Sequence, residues 1–171
     1  KKNKEQVIPT QNIINEKLKQ IGYENILIDN QLLRKKNSLL SIDLNSIAKG
    51  YAVDEVYNML IRRGYKNFLV EIGGELRSSS VDGYSWLIGI ANPLSNSIIN
   101  KIELNNFSMA TSGTYNNYFI HDNKKYSHII NPKNGYPYQY ELISATIISE
   151  ECADADALAT MALTMPVDIF L

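Results

Sequence analysis

Residues 68–91, FLVEIGGELRSSSVDGYSWLIGIA, decide the fold. FLVEI reads as a continuous apolar strand, and Gly73-Gly74 interrupts it before ELRSSS. Asp82-Gly83 is a hairpin-turn signal leading into the alternating strand SWLIGIA. Downstream, IINKIEL and FSMATS read as strands with Asn105-Asn106 between them, and YNNYFI and YSHII as a hairpin joined by HDNKK. NPKNGYP is dense in turn residues, and ELISATIIS reads as one more strand. Upstream, the period changes over residues 46–63, where Ala48, Ala52, Val56, Met59 and Leu60 share one helical face and Gly64 is placed to end the helix. Ile14, Leu18 and Ile21 predict an amphipathic helix over 10–21, with Thr10 as its N-cap. NILI, QLLRKK and SLLSID are short alternating segments, the first two joined by an Asp29-Asn30 turn, and CADADALATMALTM reads as a closing helix. Strands outnumber helices and most neighbours are hairpin-linked. The expected fold class is therefore α+β: a mainly antiparallel sheet with packed helices.

Composition narrows the function. The chain has 171 residues, 44% hydrophobic and 20% charged, as in an ordinary globular domain. Seventeen Lys and Arg against eighteen Asp and Glu give a net charge of -1, so no single-sign field is available to hold nucleic acid. A single cysteine, Cys152, excludes an internal disulfide and a Cys-rich zinc site, and two histidines exclude a multi-histidine metal site within the chain. No apolar run approaches the roughly 20 residues of a membrane span. No GxGxxG, phosphate loop, HExxH or GxSxG is present. The opening KKNKEQVIPT lacks an initiator Met and the closing MPVDIFL lacks a stop signal, so the expectation is a segment of something longer.

Four places carry chemistry. In SIDLNSIAKGYAVDEV a strand is expected to end at Asp43 and turn into a helix. Asp43 or Ser46 could simply cap that helix. Lys49 in its first turn opposes the helix dipole, however, and a lysine beside free N–H groups is what a phosphate or nucleotide uses. In VEIGGELRSS, Gly73 and Gly74 form a bulge or turn, or let a flat ligand approach. In the third place, Thr111, Ser112 and Gly113 end one strand, and His128 sits inside another as a hydrogen-bonded core residue or a catalyst. In ADADALAT, Asp156 and Thr160 are i and i+4 and share a helix face, whereas Asp154 points elsewhere. A carboxylate and a hydroxyl suit Mg²⁺ when a phosphate-bearing ligand completes its shell; the alternative is a carboxylate that stabilises the helix dipole.

Together, IDLNSIAKGYAVDEV, NFLVEIGGELRS, ATSGTYNNYF, YSHIINPKNGYP and DADALATMAL resemble the ApbE-type flavin transferases (FAD:protein FMN transferases), in that family's order and spacing from about residue 42 to about residue 163. The resemblance implies an ApbE-like core over 1–171 that lacks the N-terminal part of the family domain and some of its C-terminal end. It implies Mg²⁺-dependent cleavage of FAD, attachment of FMN by a phosphoester to a threonine of an acceptor flavoprotein subunit, and release of AMP. It assigns Asp43, Lys49, Gly73, Gly74, Ile129 and Ile130 to FAD. It assigns Ser46 (through its carbonyl), Asp156, Ala159 (through its carbonyl) and Thr160 to the metal, and His128 to proton transfer from the acceptor threonine. Asn131 stands where the family usually has Asp. A periplasmic site or the outer face of the cytoplasmic membrane is implied as well, with membrane contact only through a lipid anchor on an N-terminal portion. The competing readings are a metal-dependent FAD pyrophosphatase giving FMN and AMP, and a flavin-binding module without catalysis.

Overall fold

The computed structural model describes residues 8–95, 97–115, 117–138 and 142–171. In chain order the elements are α1 (Gln11–Leu18), β1 (Ile26–Asp29), β2 (Leu32–Lys35), α2 (Ala48–Arg62), β3 (Phe68–Ile72), β4 (Glu75–Ser79), β5 (Trp86–Ala91), β6 (Ile98–Leu104), β7 (Ser108–Gly113), β8 (Tyr118–His121), β9 (Lys124–Ser127), β10 (Ser144–Ser149), α3 (Cys152–Ala162) and α4 (Val167–Phe170). Every paired strand is antiparallel, which is the expected α+β class. Asn116 of the YNNYFI segment and Glu141, which opens ELISATIIS, lie outside the described residues. Among the described residues no helix is long and apolar enough to cross a membrane.

The chain divides into two compact units, Lys1–Asp43 with Asn117–Gln139 and Leu44–Asn116 with Tyr140–Leu171. In the described residues of the first, β1 pairs β2 and β8 pairs β9. Both are two-residue hairpins: Asn30-Gln31 and Asp122-Asn123 all have positive φ, as the right-handed twist of such hairpins requires. α1 ends at Leu18 rather than at residue 21, and Thr10 occupies its N-cap position without a side-chain cap bond. Helix α1 rests on the turn after β9, where Tyr136 Oη donates to Gln11 Oε1 at 2.7 Å. SLLSID forms no strand, so the strand expected to end at Asp43 is absent. The carbonyls of Ser38 and Leu40 accept instead from Lys35 Nζ, which replaces a ladder with a local side-chain bond.

The second unit is a four-stranded sheet in the order β10-β7-β4-β3. Helices α2 and α3 pack on it, and β5 pairs only β6 as a separate hairpin. One apolar cluster, Val53, Val70 and Cys152 with Tyr57, Leu60 and Phe68 against it, fills the space under α2. Another, Leu76, Leu104 and Met109 with Leu69, Trp86 and Ile88, joins the sheet to the β5–β6 hairpin. Val70 and its neighbour Leu69 therefore serve opposite faces, as a two-residue period dictates. The Asp82-Gly83 turn carries two positive φ values, but it leads from one sheet to another and does not close a hairpin.

The most buried strand is the polar one. FLVEI lies at the sheet edge, whereas β4, ELRSS, runs through the centre with its serines and arginine hydrogen-bonded. Ser78 Oγ donates to Phe107 O, Ser79 Oγ donates to Lys66 O, and Arg77 pairs with Asp54 at 2.6 Å while lying 4.1 Å over the Tyr57 ring. Helix α2 buries Gly50, Val53 and Asp54, a face rotated from the one its apolar residues mark. The cause is the crossing with α3, where a Cβ on Gly50 would stand 2.3 Å from the Cys152 carbonyl oxygen. Gly64, with φ 85°, ends α2 as expected: its N–H reaches Ile61 O, and the N–H of Tyr65 reaches Leu60 O.

Replacing Gly50 with Ala opposes two effects. Ala is the better helix former by about 1 kcal/mol, but its methyl group meets backbone that cannot rotate away. The expected result is a net loss of about 1–3 kcal/mol in urea denaturation. A stabilised variant would show that the crossing is looser than this contact requires.

Candidate functional site

The site of the second unit is built where the first turns of α2 and α3 meet. Residues 45–47 turn into α2, and Ile47 is the N-cap, without a side-chain cap bond. A cap therefore has to come from elsewhere in the chain. The Gly50 N–H is one of the first-turn donors that have no carbonyl within the helix to bond. It bonds Asp156 Oδ2 at 3.0 Å instead. The relation is reciprocal, because Asp54 of α2 accepts from the N–H groups of Cys152 (3.0 Å) and Ala153 (2.9 Å) at the start of α3. Each helix thus supplies the carboxylate that caps the other.

Lys49, in the first turn of α2, extends to Glu75 at the start of β4, with Nζ 2.5 Å from Oε1. Gly73 and Gly74 are the two-residue turn of the β3–β4 hairpin, with φ 63° and 101°. This is the turn alternative of the two that VEIGGELRSS left open. A Cβ built on Gly73 would lie 3.6 Å from Lys49 Cδ and 3.8 Å from Glu75 Oε2, so this glycine borders both groups. Thr160, one turn beyond Asp156 on α3, shares a hydrogen bond of 3.0 Å with Ser112 on β7. Ala159 between them is fully buried.

Glu75 was not a candidate from sequence. It is 1% exposed, and its Oε2 is buried with no hydrogen-bond partner. Burial raises its pKa above 4.5; the Lys49 hydrogen bond and charge oppose that rise, and the nearby Asp156 charge adds to it. The only local hint is position, a carboxylate on the exit of a Gly-Gly turn. The same unit holds Cys152, whose thiol burial pushes up to about 12, so it serves as packing and not as a nucleophile.

Asp43, His128, Ile129 and Ile130 belong to the first unit. His128 does not lie within a strand or a core, as YSHII suggested; β9 ends at Ser127 and His128 is exposed just beyond it. Its backbone N–H donates to Asn117 O at 3.2 Å, and its Nδ1 lies 3.0 Å from the same carbonyl. A carbonyl only accepts, so Nδ1 carries the proton and Nε2 of the neutral ring keeps a basic lone pair. Ile130 is half exposed and bridges Pro137, closing the 131–137 turn. Asn131 Oδ1 accepts from the Lys133 N–H at 2.8 Å, which an Asp would do equally well. Asp43 is exposed.

The donors fit a small hard cation. Among the described residues no three His, Cys, Asp or Glu side chains gather into a site that could hold a metal alone. The available set is the buried carboxylate of Asp156 and the hydroxyl of Thr160, both oxygen and few in number, with the buried, unpartnered Oε2 of Glu75 in the same unit. Magnesium accepts such a set when water and phosphate complete its shell.

A family model described as the ApbE family matches residues 1–171. The FAD:protein FMN transferase of Vibrio cholerae is 39% identical over 163 residues, which is 93% of this chain and 49% of that protein. The FAD:protein FMN transferase of Haemophilus influenzae is 37% identical over 161 residues, 89% of this chain and 46% of that protein. Among solved structures, an ApbE protein of Thermotoga maritima superposes with a TM-score of 0.85 at 36% identity, covering 93% of this chain and 52% of that one. The apo form of the Pseudomonas stutzeri flavinyl transferase ApbE gives 0.81 at 36% identity, covering 92% and 50%. The chain spans about half the length of the curated relatives it matches.

Because burial raises the pKa of Glu75, the native state holds that proton more tightly than the unfolded chain. The contribution of Glu75 to stability is then greatest below 4.5 and falls as pH rises through the raised value. Glu75→Gln does not titrate, so its stability relative to the parent should improve between about pH 4 and about pH 7 in denaturation series. A trend in the other direction would mean that the Lys49 ammonium outweighs burial.

Proposed function

The chain belongs to the ApbE family, and from that membership we propose that it carries the metal and phosphate site of a Mg²⁺-dependent FAD:protein FMN transferase. FMN passes from FAD to a threonine hydroxyl of an acceptor flavoprotein subunit, and AMP is released. The observation that supports this most is the placement of Lys49 and the Asp156 carboxylate at the first turn of α2, where Lys49 pairs with Glu75 and Asp156 accepts from the Gly50 N–H. A helix N-terminus with a lysine favours phosphate, and hard oxygen donors beside it favour the cation that accompanies a diphosphate.

Asp156, Thr160 and the carbonyls of Ser46 and Ala159 would hold the ion. Magnesium bound there supplies positive charge that offsets the diphosphate's negative charge and makes its phosphorus easier to attack. Lys49 holds the phosphate oxygens on the side of AMP, the leaving group. Gly73 and Gly74, bare of side chains, let the dinucleotide come close to β3 and β4, while Ile129 and Ile130 lie against its flavin half and Asp43 contacts FAD. His128 takes the acceptor threonine's proton at Nε2, the nitrogen left basic when Asn117 engages Nδ1. The threonine oxygen forms a bond to the FMN phosphorus, and the bond from that phosphorus to the bridging oxygen breaks towards AMP. Water in place of threonine would give the pyrophosphatase products, so turnover measured with and without an acceptor protein separates the two.

Asp156→Asn keeps an oxygen for the Gly50 N–H but removes the charge. It should fold normally and lose more than about a hundredfold in Mg²⁺-dependent transfer. An unchanged rate would remove Asp156 from the metal site. His128→Gln should lower transfer by about 10²–10⁴-fold with FAD affinity nearly unaltered. Loss of FAD binding instead would make His128 a binding residue.

A further inference from the structure

Glu75 is costly where it stands. Its carboxylate is 1% exposed, and only one of its oxygens has a partner. A buried acceptor left unsatisfied is destabilising, and an apolar side chain in the same place would avoid that penalty. The packing of β4 does not need this charge, since Leu76 supplies the apolar contacts of that end of the strand. What Glu75 does touch is Lys49.

Lys49 has reason to be elsewhere. Its side chain is a flexible four-carbon stem, 48% exposed, in the first turn of a helix whose dipole repels a cation. Solvent would draw the ammonium away from the helix end. The 2.5 Å contact with Glu75 opposes that and holds the lysine side chain against the Gly73 side of the β3–β4 turn. An ammonium has three N–H donors, and Glu75 Oε1 takes one of them.

We propose that Glu75 is a positioning residue that fixes the Lys49 ammonium at the α2 N-terminus, where it binds the diphosphate of the dinucleotide substrate. This rests on the reading that Lys49 contacts FAD. Glu75 itself touches no phosphate; its negative charge would repel one. Its effect on binding therefore runs through Lys49 and vanishes when Lys49 is absent.

A double-mutant cycle on the full chain tests this, with FAD affinity read by flavin fluorescence in the presence of Mg²⁺. Four proteins are compared: the parent, Glu75→Gln, Lys49→Met and the double variant. Glu75→Gln should weaken FAD binding about tenfold in the parent and by less than about twofold in the Lys49→Met background. Equal losses in both backgrounds, or no loss in either, would overturn the proposal while leaving the FAD reading intact. A parent chain that fails to bind FAD would overturn both. If Glu75→Gln does not fold, Glu75→Asp serves in the same cycle, because it keeps the charge but withdraws the carboxylate by one methylene. It should also weaken binding only when Lys49 is present, and an unaltered affinity would overturn the proposal, because a withdrawn carboxylate could not then be what fixes the ammonium.

Discussion

Two aspartates exchanged between two helices hold the second unit together. Asp156 on α3 closes the first turn of α2, and Asp54 on α2 closes the first turn of α3. Each replaces a cap that the local sequence does not provide, since Ile47 and Glu151 occupy the N-cap positions without side-chain cap bonds. The exchange is possible only because Gly50 lets α2 approach the backbone of Cys152. Capping, burial and crossing geometry are thus one constraint. The bond from the Gly50 N–H also fixes the Asp156 carboxylate at the first turn of α2, the place where the proposed cation would need oxygen ligands.

Charge balance explains why such a place suits a metal–diphosphate pair. Lys49 brings one positive charge against the two carboxylates Glu75 and Asp156, both buried. Formally the group carries one negative charge, which favours a divalent ion over a bare phosphate. Once an ion is present the sign reverses, and the helix end, the lysine and the ion together favour a polyanion. In the proposed site, that reversal would couple the binding of ion and dinucleotide. In the first unit, the Asn117 carbonyl sets the tautomer of His128 by a local hydrogen bond.

Local features were readable from the residues; long-range ones were not. Asp29-Asn30 and HDNKK marked hairpins, although the first turn falls one residue later, at Asn30-Gln31, and Gly73-Gly74 marked a bulge or turn that proves to be a hairpin turn; positive φ at short polar residues or glycine is a local property. Gly64 marked a helix end for the same reason. The i, i+4 spacing of Asp156 and Thr160 placed them one turn apart on α3. The buried face of α2 could not be read, because its inward residues include a glycine and an aspartate whose partners lie about a hundred positions away. SLLSID alternates like a strand but finds no strand to pair with. Polar ELRSS runs through the middle of the sheet, because each serine, arginine and glutamate meets a partner that no local pattern reveals. Glu75 escaped notice for that reason, as did the short helix α4, which four residues cannot signal by period.

The most direct measurement is anomalous diffraction from crystals of the full chain grown with FAD and Mn²⁺ in place of Mg²⁺. The geometry predicts one manganese peak at the first turn of α2, within coordination distance of Asp156 and the Ser46 carbonyl, with the FAD diphosphate between the ion and Lys49. A manganese and diphosphate bound elsewhere, with Asp156 still engaged only by Gly50, would contradict it.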